Sequence, residues 1–147
     1  MRKIEFRAWD RKNEVMVYPK GILFDGRIVN FNCGMLESYE GYELMQYTGL
    51  KDKNGTPIYE GDIVTGQSFE TSMLNHWKTG LLKHLDYEVE YVPEMYVIKY
   101  HEASFKTFNS KGRWVAVLNH HVSSMVDDLQ VIGNIFENPE LLEVEES

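Results

Sequence analysis

This sequence predicts a mainly β fold, within the β-rich α+β class. Aromatic residues, which favour strands, make up 13% of the 147 residues, and a hydrophobic content of 43% is sufficient to form a core. Short segments of alternating apolar and polar residues are separated by Gly, Asn, Asp and Pro, as in paired strands joined by turns. We predict an N-terminal β subdomain at residues 1–45 and a C-terminal domain at residues 46–147, with a helical insert at about 67–86.

The N-terminal subdomain contains two predicted hairpins. Apolar side chains alternate with polar ones over residues 4–9, DRKNE supplies a turn, and VMVY forms the return strand. In the second hairpin, Asp25-Gly26 is a two-residue turn between strands at 22–24 and 27–31, because Asp-Gly favours the type I′ geometry that matches strand twist.

Two segments interrupt the strand pattern. Residues 33–43 have no sustained period, which predicts a segment that wraps over the surface or crosses between subdomains. In the insert, apolar residues recur at every fourth position, which predicts a helix with a bend at Gly80. These apolar residues are Phe69, Met73, Trp77, Leu81 and Leu85.

The C-terminal domain is predicted to contain the strands GDIV, those after Tyr87, and QVIGNI. ELMQYTGL predicts a short strand before GDIV, and YEVEYV and MYVIKY alternate on either side of Pro93, a residue tolerated at a strand edge or a bulge. ASFKTFNSKGRWVAVLNH predicts a hairpin with residues 109–112 as its loop. Pro139 suits the first position of a short helix after the last strand.

The charge balance argues against a general nucleic-acid binder, since the chain carries a net charge of −8 and phosphate neutralisation needs clustered Lys and Arg. Residues 1–31 are an exception, with seven Lys and Arg against four Asp and Glu. The acidic residues in the rest of the chain form either a solvated surface or a binding face for a basic partner. No apolar run approaches the roughly 20 residues of a membrane span, no secretory segment follows the N-terminus, and Cys33 is the only cysteine. These features predict a cytoplasmic protein without membrane attachment.

The stretch YTGLKDKNGTPIYEGDIV combines acids, glycines and aromatics at close spacing. It fails as a calcium loop because Thr56, Pro57 and Ile63 occupy positions that need a ligand, a glycine and a glutamate. Its glycines lie six residues apart and match no phosphate-binding pattern. We therefore predict a turn in which Asn54-Gly55, Pro57 and Gly61-Asp62 set the chain direction.

Three blocks, IEFRAWDRKNEVMVY, LMQYTGLKDKNGTPIYEGDIV and QVIGNIFENPELL, resemble the YopX family of phage and prophage proteins. The resemblance spans nearly the whole chain. It implies a small bacteriophage accessory protein of unassigned biochemical activity in a bacterial host cell, with a C-terminal barrel similar to the Src-homology-3 type. It implies no catalytic residues. It gives a place in the family motif, without a known role, to Gly49, Gly55, Pro57, Gly61, Asp62, Gly133 and Asn134.

No metal, cofactor or catalytic site is predicted. His76 and His84 are eight residues apart, about 12 Å along a helix, which is too far to bind one ion, and adjacent His120 and His121 point to opposite faces of a strand. A lone cysteine such as Cys33 is more often a small buried apolar residue than a nucleophile. Acidic pairs are expected by abundance in a chain with 23 Asp and Glu. We predict a non-enzymatic protein; the alternative is an enzyme with an unrecognised site.

The aromatic residues predict the function. Small barrels with exposed aromatic side chains bind extended peptides, and Tyr47, Tyr59 and Trp77 are the candidate binding surface. We predict a protein-interaction module that also self-associates, because strand edges and an apolar helix face need cover. The alternative is a nucleic-acid-associated module whose contacts come from the basic N-terminal segment, namely from Arg2, Lys3, Arg7, Arg11 and Lys12.

Overall fold

The structure is a computed structural model. The structure describes residues 3–25, 27–32, 35–39, 41–67, 93–118 and 127–143. Within these ranges it contains strands and one 3₁₀ helix, Pro139–Leu142, which confirms the mainly β prediction. The strands are β1 Phe6–Asp10, β2 Val15–Val17, β3 Gly21–Ile22, β4 Ile28–Asn32, β5 Met35–Tyr39, β6 Tyr42–Lys51, β7 Pro57–Tyr59, β8 Asp62–Gln67, β9 Pro93–His101, β10 Ser104–Asn109, β11 Trp114–Val117 and β12 Gln130–Asn134.

The N-terminal part forms two sheets, with the strand orders β2-β1-β6-β7 and β3-β4-β5. The predicted β1–β2 hairpin is confirmed, and Ala8 pairs with Val17. Its turn is held by the Asp10 carboxylate, whose Oδ1 accepts hydrogen bonds from the backbone N–H groups of Lys12 and Asn13 at 2.9 and 3.1 Å. This local bonding is what Asp contributes to a turn, and it explains why the sequence alone predicts it.

The second hairpin is confirmed, but its predicted two-residue turn is wrong. The Leu23 N–H donates to the Arg27 carbonyl at 2.9 Å, so the strands separate one residue earlier than predicted. The Asp25 carboxylate accepts hydrogen bonds from the backbone N–H and the Nε of Arg27 and holds this longer loop. As a result Phe24 belongs to the loop and is fully exposed.

The prediction of an irregular segment over 33–43 is also wrong, because β5 lies within it and β6 begins at its end. Strand β5 pairs with β4 in register from Ile28 opposite Tyr39 to Asn32 opposite Met35. Backbone pairing with a neighbouring strand forms β5, and this signal is absent from the local period of MLESY.

The barrel part is a five-stranded antiparallel sheet with the order β11-β10-β9-β8-β12. It contains the GDIV, MYVIKY and QVIGNI strands and the predicted β10–β11 hairpin. The sheets curl into a half-barrel. Leu50 of β6 and Ile58 of β7 share its hydrophobic core with residues of the five-stranded sheet. The core comprises Leu50, Ile58, Val64, Tyr96, Ile98, Phe105, Ala116, Leu118 and Leu129.

Strand β6 links the two parts of the chain. The boundary predicted between residues 45 and 46 lies inside this strand, which pairs with β1 near its start and contributes Leu50 to the barrel core near its end. The division into two domains stays a prediction. The predicted helical insert lies outside the described residues apart from Gln67, which ends β8, and Trp77 lies outside them as well.

The N-terminal sheet packs on the barrel through specific contacts. The Trp9 and Phe136 rings are stacked, with their centroids 5.8 Å apart. Gly61 donates its N–H to the Ile98 carbonyl at 2.8 Å, and its own carbonyl accepts the Ile135 N–H at 2.9 Å. Over the described ranges, no helix has the length and apolar character to cross a membrane.

Candidate binding groove

A groove of about 500 Å³ lies where the start of β1 meets the β2–β3 connection. Tyr59 of β7 lies at its base and is 9% exposed, whereas Ile4 and Tyr18 stand at its rim with 69% and 67% of their surface exposed. The lining combines apolar and charged groups. The residues that line it are Ile4, Glu5, Phe6, Tyr18, Pro19, Lys20, Gly21, Ile22 and Tyr59.

The Tyr59 ring is held from several sides. Its centroid lies 5.5 Å from that of Tyr47, and the Arg7 guanidinium lies 4.7 Å from the Tyr59 centroid. The Tyr59 N–H donates to Asp62 Oδ2 at 2.8 Å. Burial, and next the negative charge of Glu5, raise the pKa of the Tyr59 phenol, so this ring presents a neutral surface at physiological pH. The base of the groove is therefore rigid before any ligand arrives.

Beneath the groove, Arg7 and Asp62 form a buried ion pair. Arg7 Nη2 lies 2.5 Å from Asp62 Oδ1, and the two side chains are 10% and 1% exposed. Burial raises the pKa of the Asp62 carboxyl, against the opposing effects of the Arg7 charge and the Tyr59 N–H. The Nε of Arg7 is buried and has no hydrogen-bond partner among the described residues. The pair joins β1 to β8 and thereby fixes the N-terminal sheet against the barrel.

The structure places the predicted binding residues in different environments. Tyr59 lines the groove, and Tyr47 lies buried behind it. No sequence signal marks Ile4, Phe6 and Tyr18 as binding residues, because they fit ordinary strand alternation. Only the fold brings them to one surface with Tyr59, which lies more than 40 residues further along the chain.

The motif residues of the central stretch lie in its strands and turns: Gly49 is within β6, where the pairing with β7 is irregular, and Gly55 and Gly61 are in turns. Gly49, Gly55 and Gly61 have φ values of 87°, 82° and 81°, a region that favours glycine. Pro57 begins β7 opposite Lys51, so it lies at the start of the pairing between β6 and β7.

After β12, Asn134 closes the final turn. Its Oδ1 accepts hydrogen bonds from the backbone N–H groups of Phe136 and Glu137 at 3.0 and 2.9 Å. Gly133 has space for no side chain, because an added Cβ would lie 2.5 Å from Asn138 Oδ1. In the described structure, Asn134 and Gly133 therefore determine the backbone conformation at the end of β12.

Asp52 holds the turn between β6 and β7. Its Oδ1 accepts the N–H groups of Asn54 and Thr56 at 2.8 and 2.9 Å, and its Oδ2 accepts the Val131 N–H at 2.9 Å. Desolvation by itself would raise the pKa of Asp52, but the hydrogen bonds from Val131, Thr56 and Asn54 outweigh it and lower the pKa. The carboxylate thus satisfies the backbone of a turn and ties it to β12.

Asp52→Asn is expected to lower the free energy of unfolding by about 1–3 kcal/mol at pH 7, because the amide group must place a donor against Val131 N–H or against the turn. Since folding lowers the pKa of Asp52, the carboxylate stabilises the fold above the unfolded pKa of about 3.9. That contribution disappears as the pH falls through the folded pKa. Urea unfolding of both proteins at pH 7 and pH 3 checks this.

Asp25→Asn is the matched control, since Asp25 also accepts local hydrogen bonds but its side chain is 50% exposed. It is expected to change stability by less than about 0.5 kcal/mol. A wild-type advantage over Asp52→Asn that stayed constant into acid would contradict a role for the charge.

The N-terminal cations proposed for nucleic-acid contact are largely engaged by acids. Arg7 pairs with Asp62, Arg11 with Glu43, and Lys3 with Glu5. Lys12 is exposed, and Arg2 lies outside the described residues. Within the described part of the chain, no group of three or more His, Cys, Asp and Glu side chains is arranged to hold a metal ion.

The part of the chain that forms this groove matches the model of a known protein family. The model of the family described as YopX protein matches residues 5–143. The chain belongs to the YopX family. The match includes all twelve strands of the described structure and every groove residue except Ile4.

A crystal structure is similar to this YopX-family chain. It is the structure of protein EF1440 from Enterococcus faecalis, with a TM-score of 0.59 and 27% sequence identity. The similarity covers 97% of this chain and 100% of that chain. None of the curated proteins matches the sequence.

Proposed function

We propose that this YopX-family chain is a phage or prophage accessory protein that binds an extended segment of a partner protein in its groove. It acts in the cytoplasm of the bacterial host and catalyses no reaction. Family membership supports the accessory role, and the rigid aromatic base with its exposed apolar rim supports the binding role.

The exposed rim is the observation that carries this proposal. Ile4 and Tyr18 keep about two thirds of their surface in water although a groove lies beside them. Large apolar side chains of this kind, next to a pre-formed depression, are typical anchors of protein–protein contacts. Pockets for small molecules bury most of their ligand, and a rim this exposed is better suited to an extended chain that runs across it.

The charged lining residues define the kind of segment that fits. Glu5 and Lys20 both line the groove, and Glu5 pairs with Lys3 at its edge. A segment with an apolar or aromatic residue for the Tyr59 surface and a charged residue beside it would complement both features.

The ionisable groups near the groove favour binding over catalysis, because they are already bonded to each other. Arg7 and Asp62 satisfy each other beneath the groove, and Asp62 also accepts the Tyr59 N–H. Catalysis needs polar groups that converge on an open site where a reacting atom can lie. If the protein were an enzyme, the polar groups that act on its substrate would lie outside this groove.

Self-association is part of the same proposal. Strand β2 forms one edge of its sheet, and exposed edges favour pairing with a second chain. Phe24, fully exposed in the β3–β4 loop, offers an apolar contact nearby along the chain. Light scattering over a concentration series gives the oligomeric state, and a strictly monomeric protein would remove this part.

Peptides selected from a random library on the full-length protein are expected to depend on Tyr18. Tyr18→Ala should weaken their binding about tenfold or more, because truncating a tyrosine that anchors an interface costs about 2 kcal/mol or more, and each 1.4 kcal/mol is a factor of about ten. The variant should stay folded, since Tyr18 is 67% exposed. Fluorescence anisotropy with labelled peptides measures the effect.

Tyr100→Ala is the matched control. Tyr100 is 52% exposed and lies on β9, outside the residues that line the groove, so its truncation should leave peptide affinity unchanged. Selected peptides that bound Tyr18→Ala as tightly as the wild type would refute the groove as the binding site.

A further inference from the structure

The outer face of the barrel sheet carries a second surface, which the proposed function does not use. Core residues Tyr96, Ile98 and Phe105 face inward. Between them along the strands, Lys99 lies opposite Lys106, and Val97 lies opposite Phe108. On the neighbouring strand β11, Trp114 is paired with Phe108. This alternation brings cations and aromatic rings together on the face away from the core. The aromatic–lysine face consists of Lys99, His101, Lys106, Phe108 and Trp114.

Direct contacts between cations and rings organise this face. The Lys99 ammonium lies 5.1 Å from the Phe108 ring centroid, and the Lys106 ammonium lies 5.5 Å from that of Trp114. Lys106 is buried, and its ammonium group donates a hydrogen bond to Glu102 Oε2 at 2.6 Å. This bond fixes the lysine that contacts the Trp114 ring. Trp114 nevertheless keeps 59% of its surface exposed. One large ring is thus fixed in position and open to solvent.

The loop that precedes Trp114 adds two further cations in an ordered position. Asn109 Oδ1 accepts hydrogen bonds from the backbone N–H groups of Lys111 and Arg113 at 3.1 and 3.0 Å. Both side chains are exposed. Because its backbone is already fixed by Asn109, the loop loses little freedom when a ligand binds.

The charge on this face differs from that of the rest of the chain. Residues 93–118 contain four Lys and Arg but only two Asp and Glu, whereas the whole chain has a net charge of −8. Among the residues that the structure describes, no acid is paired with Lys99, Lys111 or Arg113, in contrast to the N-terminal cations. These three positive charges are available to an anionic ligand.

We propose that the aromatic–lysine face and the adjoining loop bind single-stranded nucleic acid. An unpaired base stacks on Trp114, while Lys99, Lys111 and Arg113 contact phosphates. This combination of a sequence-tolerant stacking ring with flanking cations is what single strands require. A purely acidic peptide would use the cations but not the ring, and a duplex keeps its bases stacked on each other.

The acidic net charge is compatible with such a surface. Charges more than about 8 Å away are largely screened at physiological ionic strength, so a phosphate on this face interacts mainly with the local cations. The net charge removes long-range attraction, which makes binding moderate in affinity and sensitive to salt.

The test uses the full-length protein and a fluorescent oligothymidylate of about 12 nucleotides. Binding is expected at low salt, and Trp114→Leu should weaken it about tenfold or more, while Trp114→Tyr, which keeps a ring, retains it. Lys111→Gln with Arg113→Gln should lower the slope of log affinity against log salt by about 1.4, since each phosphate contact with a single strand contributes about 0.7.

Two controls separate this site from other sources of binding. Tyr100→Leu removes an exposed ring that packs on Phe105 of the core, and it should leave affinity unchanged. Inorganic polyphosphate, which has charge but no bases, should compete poorly with the oligonucleotide. The proposal is overturned by any of three results: no binding at low salt, equal binding of Trp114→Leu and wild type, or a loss found only with Arg11→Gln and Lys12→Gln.

Discussion

Arg7→Met is expected to lower the free energy of unfolding by about 3–5 kcal/mol, because it leaves the Asp62 carboxylate buried without its ionic partner. Asp62 is 1% exposed, and its Oδ1 loses the contact at 2.5 Å with Arg7 Nη2. Methionine keeps much of the packing volume of the arginine stem, so the loss reports mainly on charge. Urea unfolding monitored by circular dichroism at pH 7 measures the effect.

The double variant Arg7→Met with Asp62→Asn tests that explanation. The amide that replaces the Asp62 carboxylate is neutral, and its oxygen can still accept the hydrogen bond that the Tyr59 N–H donates to Asp62. We expect the double variant to be more stable than Arg7→Met alone by about 1–3 kcal/mol, because it no longer buries a carboxylate without its partner. A double variant no more stable than the single one would show that the pair matters through packing rather than charge.

Acid should reduce the defect of Arg7→Met. Burial raises the pKa of Asp62 even with Arg7 present, and removing the positive charge raises it further. A carboxyl whose pKa is higher in the folded than in the unfolded state stabilises the fold increasingly as the pH falls from the folded pKa toward the unfolded pKa of about 3.9. Arg7→Met should therefore approach wild-type stability between pH 7 and pH 4.

The ion pair also shows what the sequence leaves undetermined. Arg7 and Asp62 are 55 positions apart, and no local pattern links them. From the sequence alone, Arg7 is one of the cations available to nucleic acid, because a count of charges carries no information about partners. The fold instead places it beside Asp62 and over the Tyr59 ring, where it supports the groove.

Local signals were predictable from the sequence, and long-range ones were not. The turn at Asp10 and the β10–β11 loop follow from Asp, Asn and Gly bonding to their own backbone, and both were predicted. Strand β5 depends on pairing with β4, and the groove depends on segments that meet only after folding. Tyr59 was predicted as a binding residue from its aromatic side chain, whereas the exposure of Tyr18 required the structure.

Gly61→Ala is expected to destabilise the fold by about 2–5 kcal/mol. Gly61 has a φ of 81°, where a side chain typically costs about 1–2 kcal/mol. Its Cβ would also lie 3.2 Å from the Met45 sulfur and 3.6 Å from Ile135 Cγ1, and overpacking of this kind adds about 1–3 kcal/mol. Thermal and urea unfolding give the change.

Gly55→Ala provides a control with nearly the same backbone angle. Gly55 has a φ of 82°, but an added Cβ meets nothing within 4 Å, so only the conformational cost of about 1–2 kcal/mol applies. The difference between the two variants therefore isolates the packing of the N-terminal sheet on the barrel. Gly61 is held by distant parts of the chain, because its N–H and carbonyl are bonded to Ile98 and Ile135, whereas the N–H of Gly55 is bonded within its own turn.

The pair of glycine variants also tests whether this junction supports the groove. Gly61 lies between Tyr59 and Asp62, so strain there acts on the hydrogen bond that fixes the groove base. Gly61→Ala should weaken the selected peptides at temperatures where the protein is still folded, whereas Gly55→Ala should bind them as the wild type does. Equal stability and equal peptide affinity in the two variants would mean that the turn at Gly61 transmits no packing constraint to Tyr59.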